Sequence, residues 1–468
     1  TLNVDIDSNL DYQNNIGNKL YRDIDSSVTN VTINPGITVE GTEDKQAGIS
    51  QEGEYRTYLN LINNGTINFS GKDTVGIYGK ETNIVNNNLI NLENSENGIG
   101  LYGKLANSSL ARKNEIFNAG NIKIGKNGIG IYADTKRDYD YYTSSMLVNN
   151  SGNITGAGDN AVGIYINNVT NSSYVTSTLT LNSTSNIDVK NSKNGIGIYA
   201  DTFGITGTNA GTITVGENGV GVYVKNGTTT LNNLTLNLHG DNTVGIYTDG
   251  TNSFTGNGTV NVDGKGVVVF NVLGSGAFNQ NFNITSTSGS SYTLANIKDT
   301  TLYSNSNSNL AENGIFINGN NSAVLLGLNS NLSSTGANIA GIALNGAYSG
   351  GIPVTINGEI LNQEATNQGI MSFGDNSTGI YVVNGASAEN QGTITLGDNS
   401  VGIYGKGIGT GVSNISEINI GGNSVGLFLQ DGKGITNSGD IKSLGEKTVG
   451  IYFENINSSL VSNLGNII

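Results

Sequence analysis

The chain has 468 residues, among them 68 glycines, two prolines and no cysteine, and 37 acidic against 22 basic side chains leave a net charge of −15. The lack of cysteine removes disulfides, thiol nucleophiles and thiolate metal sites, and the acidic balance opposes direct binding of nucleic acid or anionic lipid. No apolar run reaches the length of a membrane helix and no leader pattern opens at Thr1, so the chain reads as a segment without its own targeting or anchoring parts.

Residues 1–63 read as irregular first rungs or a cap. Pro35-Gly36 separates two short strand patterns, Val31-Thr32-Ile33 and Ile37-Thr38-Val39. Ala47-Gly48-Ile49-Ser50 is a decayed copy of the phrase that dominates the rest. That phrase is an aliphatic residue, Gly, Ile or Val, then Tyr. It closes at Tyr78, Tyr102, Tyr132, Tyr165, Tyr199, Tyr223, Tyr247, Tyr381, Tyr404 and Tyr452, with Phe270, Phe316, Phe428 and Ala343 read as variant endings. Tyr78 to Tyr102, Tyr199 to Tyr223 and Phe428 to Tyr452 are each 24 residues, so the basic period is near 24. A fixed period of that size is the mark of a solenoid.

A full unit runs from Asn390 to Tyr404. Thr393-Ile394-Thr395-Leu396 alternates as a strand, Gly397-Asp398-Asn399 is a turn, and Val401-Gly402-Ile403-Tyr404 is a second strand. The rest of each period leaves room for a third. Three short strands per period and no helical spacing predict an all-β fold, a parallel β-helix (β-solenoid) of about 24 residues per rung with loop insertions. Parity places Val401 and Ile403 on one face and Gly402 and Tyr404 on the other. Inward asparagines at bends are expected to bond from rung to rung.

Residues 64–270 read as regular β-helix. Three consecutive spacings there are oversized: 30 residues (Tyr102 to Tyr132), 33 (to Tyr165) and 34 (to Tyr199). The extra residues fall at 103–117, 133–149 and 166–185, one repeat position in adjoining rungs, and must emerge side by side. The middle insertion holds Lys136, Arg137, Tyr139, Tyr141 and Tyr142. The first adds Arg112 and Lys113, and the third Tyr174. Exposed Tyr and Arg are favoured contact residues and sugars stack on aromatic faces, so these eight form the candidate partner-binding loop; the bland alternative is a solvated loop packed on the solenoid. Residues 271–366 read as divergent rungs with longer loops, and 367–468 as regular β-helix stopping in mid-repeat.

The repeat Asn-x-Gly-x-Ile-x-Val/Leu-Gly-x-Asn-Ser/Gly-Val-Gly-Ile-Tyr resembles the passenger repeats of very large fusobacterial autotransporter adhesins. The resemblance covers most of 64–468. It implies a type V secreted protein with a right-handed β-helical passenger, held at the cell surface by a C-terminal outer-membrane barrel outside this segment. It further implies attachment to host cells or other bacteria through a protein or glycan receptor. The shared positions are structural, so no binding residue carries over.

Other motifs have structural explanations. Gly98-Ile99-Gly100-Leu101-Tyr102-Gly103 matches the dinucleotide fingerprint but sits within a strand rather than at a helix start. Gly422-Asn423-Ser424-Val425-Gly426 matches a nucleophile elbow, yet His239, the one histidine, lies many rungs away and reads as a bend residue. The four Gly-Asp-Asn turns, at Asp159, Asp241, Asp375 and Asp398, read as turn chemistry in which Asp bonds its own backbone, with calcium as the sharper alternative. No cluster of Asp or Glu recurs on adjacent rungs at one strand position, which disfavours a polysaccharide-active enzyme, the main alternative on this fold; a pure spacer is another. No cofactor is expected.

Overall fold

The computed structural model describes residues 2–6, 10–11, 28–51, 59–105, 112–136, 144–167, 175–201, 204–310, 313–456 and 460–468. Among them there is no helix, and the chain divides into two units, Thr1–Thr243 and Val244–Ile468. Each is a parallel β-solenoid with three walls per rung.

In the first unit, wall one contains Ala47–Gln51, Val75–Lys80, Ile99–Lys104, Ile129–Asp134, Val162–Asn167 and Ile196–Asp201, each paired in parallel with the next. Wall two runs from Leu2–Ile6 and Val28–Ile33 through Asn60–Asn63, Asn83–Asn86, Arg112–Asn118 and Ser144–Asn150. Wall three includes Thr38–Gly41, Thr66–Phe69, Leu89–Leu92 and Asn121–Ile124. The described parts of residues 1–63 thus already belong to the three walls. Ala47-Gly48-Ile49-Ser50 is a true copy of the phrase, with Ile49 over Ile77 and Ser50 over Tyr78.

Parallel stacking places like side chains above one another. Ile49, Ile77, Leu101, Ile131, Ile164 and Ile198 form one fully buried column on wall one, and Ile67, Ile90, Ile122, Ile154 and Ile187 another on wall three. Each such side chain contributes about 1.5–3 kcal/mol. Because contacts run only to the rungs above and below, the gain accumulates without a closed core.

The alternation expected in the Val-Gly-Ile-Tyr strand fails at its glycine. Val and Tyr are half-buried, whereas Gly and Ile are both buried, and the ladder pairs Ile99 with Ile129 and Leu101 with Ile131 while skipping Gly100. The strand bends there, turning two consecutive residues inward. A Cβ on Gly100 would lie 2.5 Å from the Gly130 carbonyl oxygen and 2.6 Å from Ile122 Cγ2. The position needs glycine for space; its φ is not positive.

In the second unit, register corrects two of the variant endings. Ile246 pairs with Phe270 and Tyr247 with Asn271, so Phe270 occupies the inward isoleucine slot. Phe316 falls in the skipped position between Ile315 and Ile317, the glycine slot, and both phenylalanines are fully buried. The Tyr slot is taken in turn by Asn271, Asn296, Asn318 and Ala343, so spacing stays between 22 and 25 residues where the sequence reading saw loosened rungs. Larger side chains fill this stretch of core: Phe254 stacks on Phe278 at 4.2 Å, and Phe270 lies 5.3 Å from Phe278 and 5.7 Å from Phe282. Phe428 does stand in the Tyr slot, between Tyr404 and Tyr452.

Two asparagine series clamp the corners. At the end of wall two, Asn63, Asn86, Asn118 and Asn150 are fully buried, and each Nδ2 donates to the next Oδ1 at 2.8–2.9 Å. The second unit repeats this bonding through Asn367, Asn390, Asn414, Asn437 and Asn463, of which the first four are buried. At the corner before wall one, Asn97, Asn127, Asn160 and Asn194 all adopt φ of 53–60° and bond in series at 3.0–3.3 Å. Asparagine tolerates this left-handed conformation better than other side chains.

Candidate recognition surfaces

The three insertions of the first unit leave from one corner. Their lead-in strands, Ile99–Lys104, Ile129–Asp134 and Val162–Asn167, are in register, as are the exit strands Arg112–Asn118, Ser144–Asn150 and Val175–Leu181. The extra residues are fewer than the expected 103–117, 133–149 and 166–185. Wall two absorbs some of them, lengthening from four residues in Asn83–Asn86 to seven in Arg112–Asn118. Between strands there remain 105–111, 135–143 and 168–174.

Arg112 and Lys113 open an exit strand and pair with Ser144 and Ser145 one rung on; Lys113 is exposed. Lys136 is exposed, and its backbone N–H donates to Asp134 Oδ1 at 3.0 Å. Arg137, Tyr139, Tyr141, Tyr142 and Tyr174 lie outside the described residues.

Beside this corner runs the outer face of wall one. Tyr78, Tyr102, Tyr132, Tyr165, Tyr199 and Tyr223 form a continuous series with ring centroids 4.7–5.2 Å apart. From Tyr132 onward the rings are stacked, with interplanar angles of 10–22°. Such rings cover one another's faces and offer outward only their edges and phenol oxygens, so this series cannot receive a sugar face-on. Burial, with Asp134 adding to it, pushes Tyr102 and Tyr132 above the ordinary phenol pKa; burial, Asp201 and Asp134 do the same to Tyr165. Two residues beyond the tyrosines lies an in-register polar column, Lys80, Lys104, Asp134, Asn167, Asp201 and Lys225.

The second unit carries an insertion that the sequence reading placed only within a loosened region. The spacing of 38 from Ala343 to Tyr381 contains a hairpin, Val354–Ile356 with Glu359–Leu361, the one antiparallel pair among the described strands. Its turn is Asn357 (φ 49°) and Gly358 (φ 81°), the two-residue geometry that Asn-Gly favours. That dipeptide between Val-Thr-Ile and Glu-Ile-Leu was the available signal. Val354, Ile356 and Leu361 bury against Ala323 and Leu325 of wall two, with Tyr303 and Tyr348 packed alongside. The buried Glu364 carboxylate fastens the base, accepting from the Ser387 N–H at 2.8 Å and the Tyr348 N–H at 3.3 Å. Ile360, on the far side, is 73% exposed, and Gln368, bonded to Glu359 at 2.6 Å, leads into the exposed Ile370.

The enzyme-like motifs resolve into structure. Gly98 to Gly103 enter and follow a wall-one strand. Ser424 is buried; its hydroxyl donates to the Gly422 carbonyl at 3.1 Å and accepts from the Ser400 N–H at 2.9 Å. His239 is an exposed bend residue whose N–H donates to the Val215 carbonyl. In the Gly-Asp-Asn turns Asn160, Asn242, Asn376 and Asn399 all have positive φ, but three of the aspartates bond the next rung. Asp159 accepts from the Lys193 N–H, Asp375 from the Asp398 N–H and Asp398 from the Gly422 N–H. Among the described residues no three His, Cys, Asp or Glu side chains converge.

Carboxylates stand in register on adjacent rungs at two places among the described strands, Asp11 with Glu40 and Glu417 with Asp440, and the rungs next to them carry Asn68, Thr393 and Asn466 at those positions. Lys442 Nζ lies 2.7 Å from Glu417 Oε2, and Asn419 Nδ2 donates to Oε1 at 2.7 Å; these bonds hold the Glu417 pKa below the usual range. That is the reverse of the raised pKa a general acid needs. Comparison of the chain with protein-family models, with curated proteins and with solved structures gives no match.

Proposed function

We propose that this chain is a segment of a secreted, surface-anchored bacterial adhesin of the autotransporter type, attaching to host cells or other bacteria through insertions displayed on a β-solenoid. The single observation that carries the reading is the placement of the insertions. Three leave one corner on consecutive rungs beside a fixed tyrosine face, and the hairpin presents Ile360 outward from a fastened base. Irregular segments held at fixed spacing by a repetitive scaffold are where binding residues concentrate. The acidic charge fits an extracellular protein that does not adhere by bulk attraction to anionic surfaces.

Deleting 137–143 leaves the flanking strands Ile129–Asp134 and Ser144–Asn150 intact, which removal of 133–149 would not. Under this proposal the deletion lowers adherence of the purified chain to cells at least several-fold without changing its far-UV circular dichroism. Unchanged adherence would remove the loop as a site. The alternative of a polysaccharide-active enzyme draws on the Glu417–Asp440 register; product release from pectic, chondroitin or alginate-type polymers would favour it over adhesion.

A further inference from the structure

The tail of the hairpin insertion borders a surface cavity of about 250 Å³, with Asn362 and Gln363 on one side and the outer face of wall two as its floor. The floor is low because glycine occupies one column position on two successive rungs. Gly411 pairs with Gly434, and Gly434 with Leu460, while below them the Gly411 N–H donates to Ser387 Oγ at 3.1 Å. Neither glycine has a positive φ, so the backbone would accept other residues there. The atoms nearest a Cβ on Gly411 would be Lys433 Cε at 3.1 Å, the Gly434 carbonyl oxygen at 3.5 Å and Lys433 Cγ at 3.6 Å, whereas one on Gly434 would lie 3.1 Å from the Leu460 carbonyl oxygen and 3.3 Å from Leu460 Cβ. Gly434 thus lets the Leu460 rung approach, while Gly411 faces the flexible Lys433 side chain and keeps the trough open.

Its rim is polar. The Thr436 hydroxyl donates to Ser413 Oγ at 3.0 Å, leaving the Ser413 proton available, and Asn362 and Gln363 bring amides to the other side. Lys433 lies across the floor and makes no ion pair among the described residues, although the chain carries fifteen more negative than positive charges. A free cation, hydroxyls, amides and an apolar border at the exposed Leu460 match a sugar ring bearing an acid group. The volume lies below the ~300–1,000 Å³ of drug-sized sites and takes one ring.

We propose that this groove binds a single carboxylated sugar residue of a surface glycan. Lys433 pairs with the carboxylate, the Ser413 hydroxyl and the amides bind ring hydroxyls, and the Lys433 methylenes over Gly411, with Leu460, receive the ring's C–H face. The inference rests on the recognition reading above and names its ligand class.

The test uses saturation-transfer NMR on the whole chain with the methyl glycosides of N-acetylneuraminic acid and glucuronic acid, and methyl glucoside as the neutral control. Saturable binding of one or both acidic sugars and none of glucoside is expected, the two acids separating a sialate from a uronate source. Gly411→Val fills the trough and abolishes binding. Lys433→Ala weakens it about tenfold or more, as loss of a charge-assisted hydrogen bond does. Absence of acidic-sugar binding, equal binding of glucoside, or full binding by a folded Gly411→Val chain overturns the proposal. If cells are still bound in any of those cases, only the groove fails; if the intact chain binds no cells, the recognition reading fails with it.

Discussion

At the scale of the residue, the phrase Val-Gly-Ile-Tyr is four separate constraints. The isoleucine fills the core, the glycine admits the next rung's carbonyl, and valine and tyrosine cover the outer face. Gly130→Ala places a Cβ 2.5 Å from both the Gly163 carbonyl oxygen and Ile154 Cγ2. It should cost about 1–3 kcal/mol, as overpacking of a fixed core does. The exposed Lys123→Ala serves as control and should stay within about 0.5 kcal/mol. Urea midpoints measure both. The tyrosines give a pH prediction of definite sign. Burial raises the folded pKa of Tyr102, Tyr132 and Tyr165 above the unfolded phenol value near 10. Their contribution to stability is therefore complete below about pH 10 and is lost as pH climbs from there through the higher folded values. Spectrophotometric titration should show ladder tyrosines still protonated after exposed ones ionise, with unfolding midpoints falling above pH 10.

At the scale of the element, each wall-two corner depends on a buried amide held by its neighbours. Asn118 donates to Asn150 Oδ1 and the Gly120 carbonyl and accepts from Asn86 Nδ2. Asn118→Ala leaves Asn86 and Asn150 each short of a partner in a site closed to water, at about 1–3 kcal/mol per stranded group. Chemical denaturation should register the loss, and Asn118→Asp should not restore it, since a carboxylate cannot donate. This scale also shows what was legible in the sequence. Strand type, the 24-residue period and the rung-to-rung asparagines could be read because each depends on local alternation or on one residue at a fixed step. Phe270 and Phe316 were misplaced because an aromatic ring signals burial without signalling direction. Only the register of neighbouring strands shows that they point inward while Asn271 and Asn318 take the outer slot. The hairpin was within reach through Asn357-Gly358. The groove was not, since it joins Asn362 to residues as distant as Lys433 and Leu460.

At the scale of the molecule, each unit is stabilised by contacts between successive rungs, and this frees the connections between walls to vary. An insertion leaves the ladder unbroken as long as its lead-in and exit strands keep register, as they do around 105–111, 135–143 and 168–174 and around the hairpin. Under the proposed function, stability and recognition are therefore separable. That separation is tested most directly by comparing cell and bacterial binding of the intact chain with that of a trimmed chain lacking 106–111, 137–143, 168–174 and the hairpin segment 348–362. Saturable binding by the intact chain is expected, and for the trimmed chain an unchanged β-sheet spectrum with binding reduced at least tenfold. Equal binding by the two chains, or none by the intact one, would contradict it.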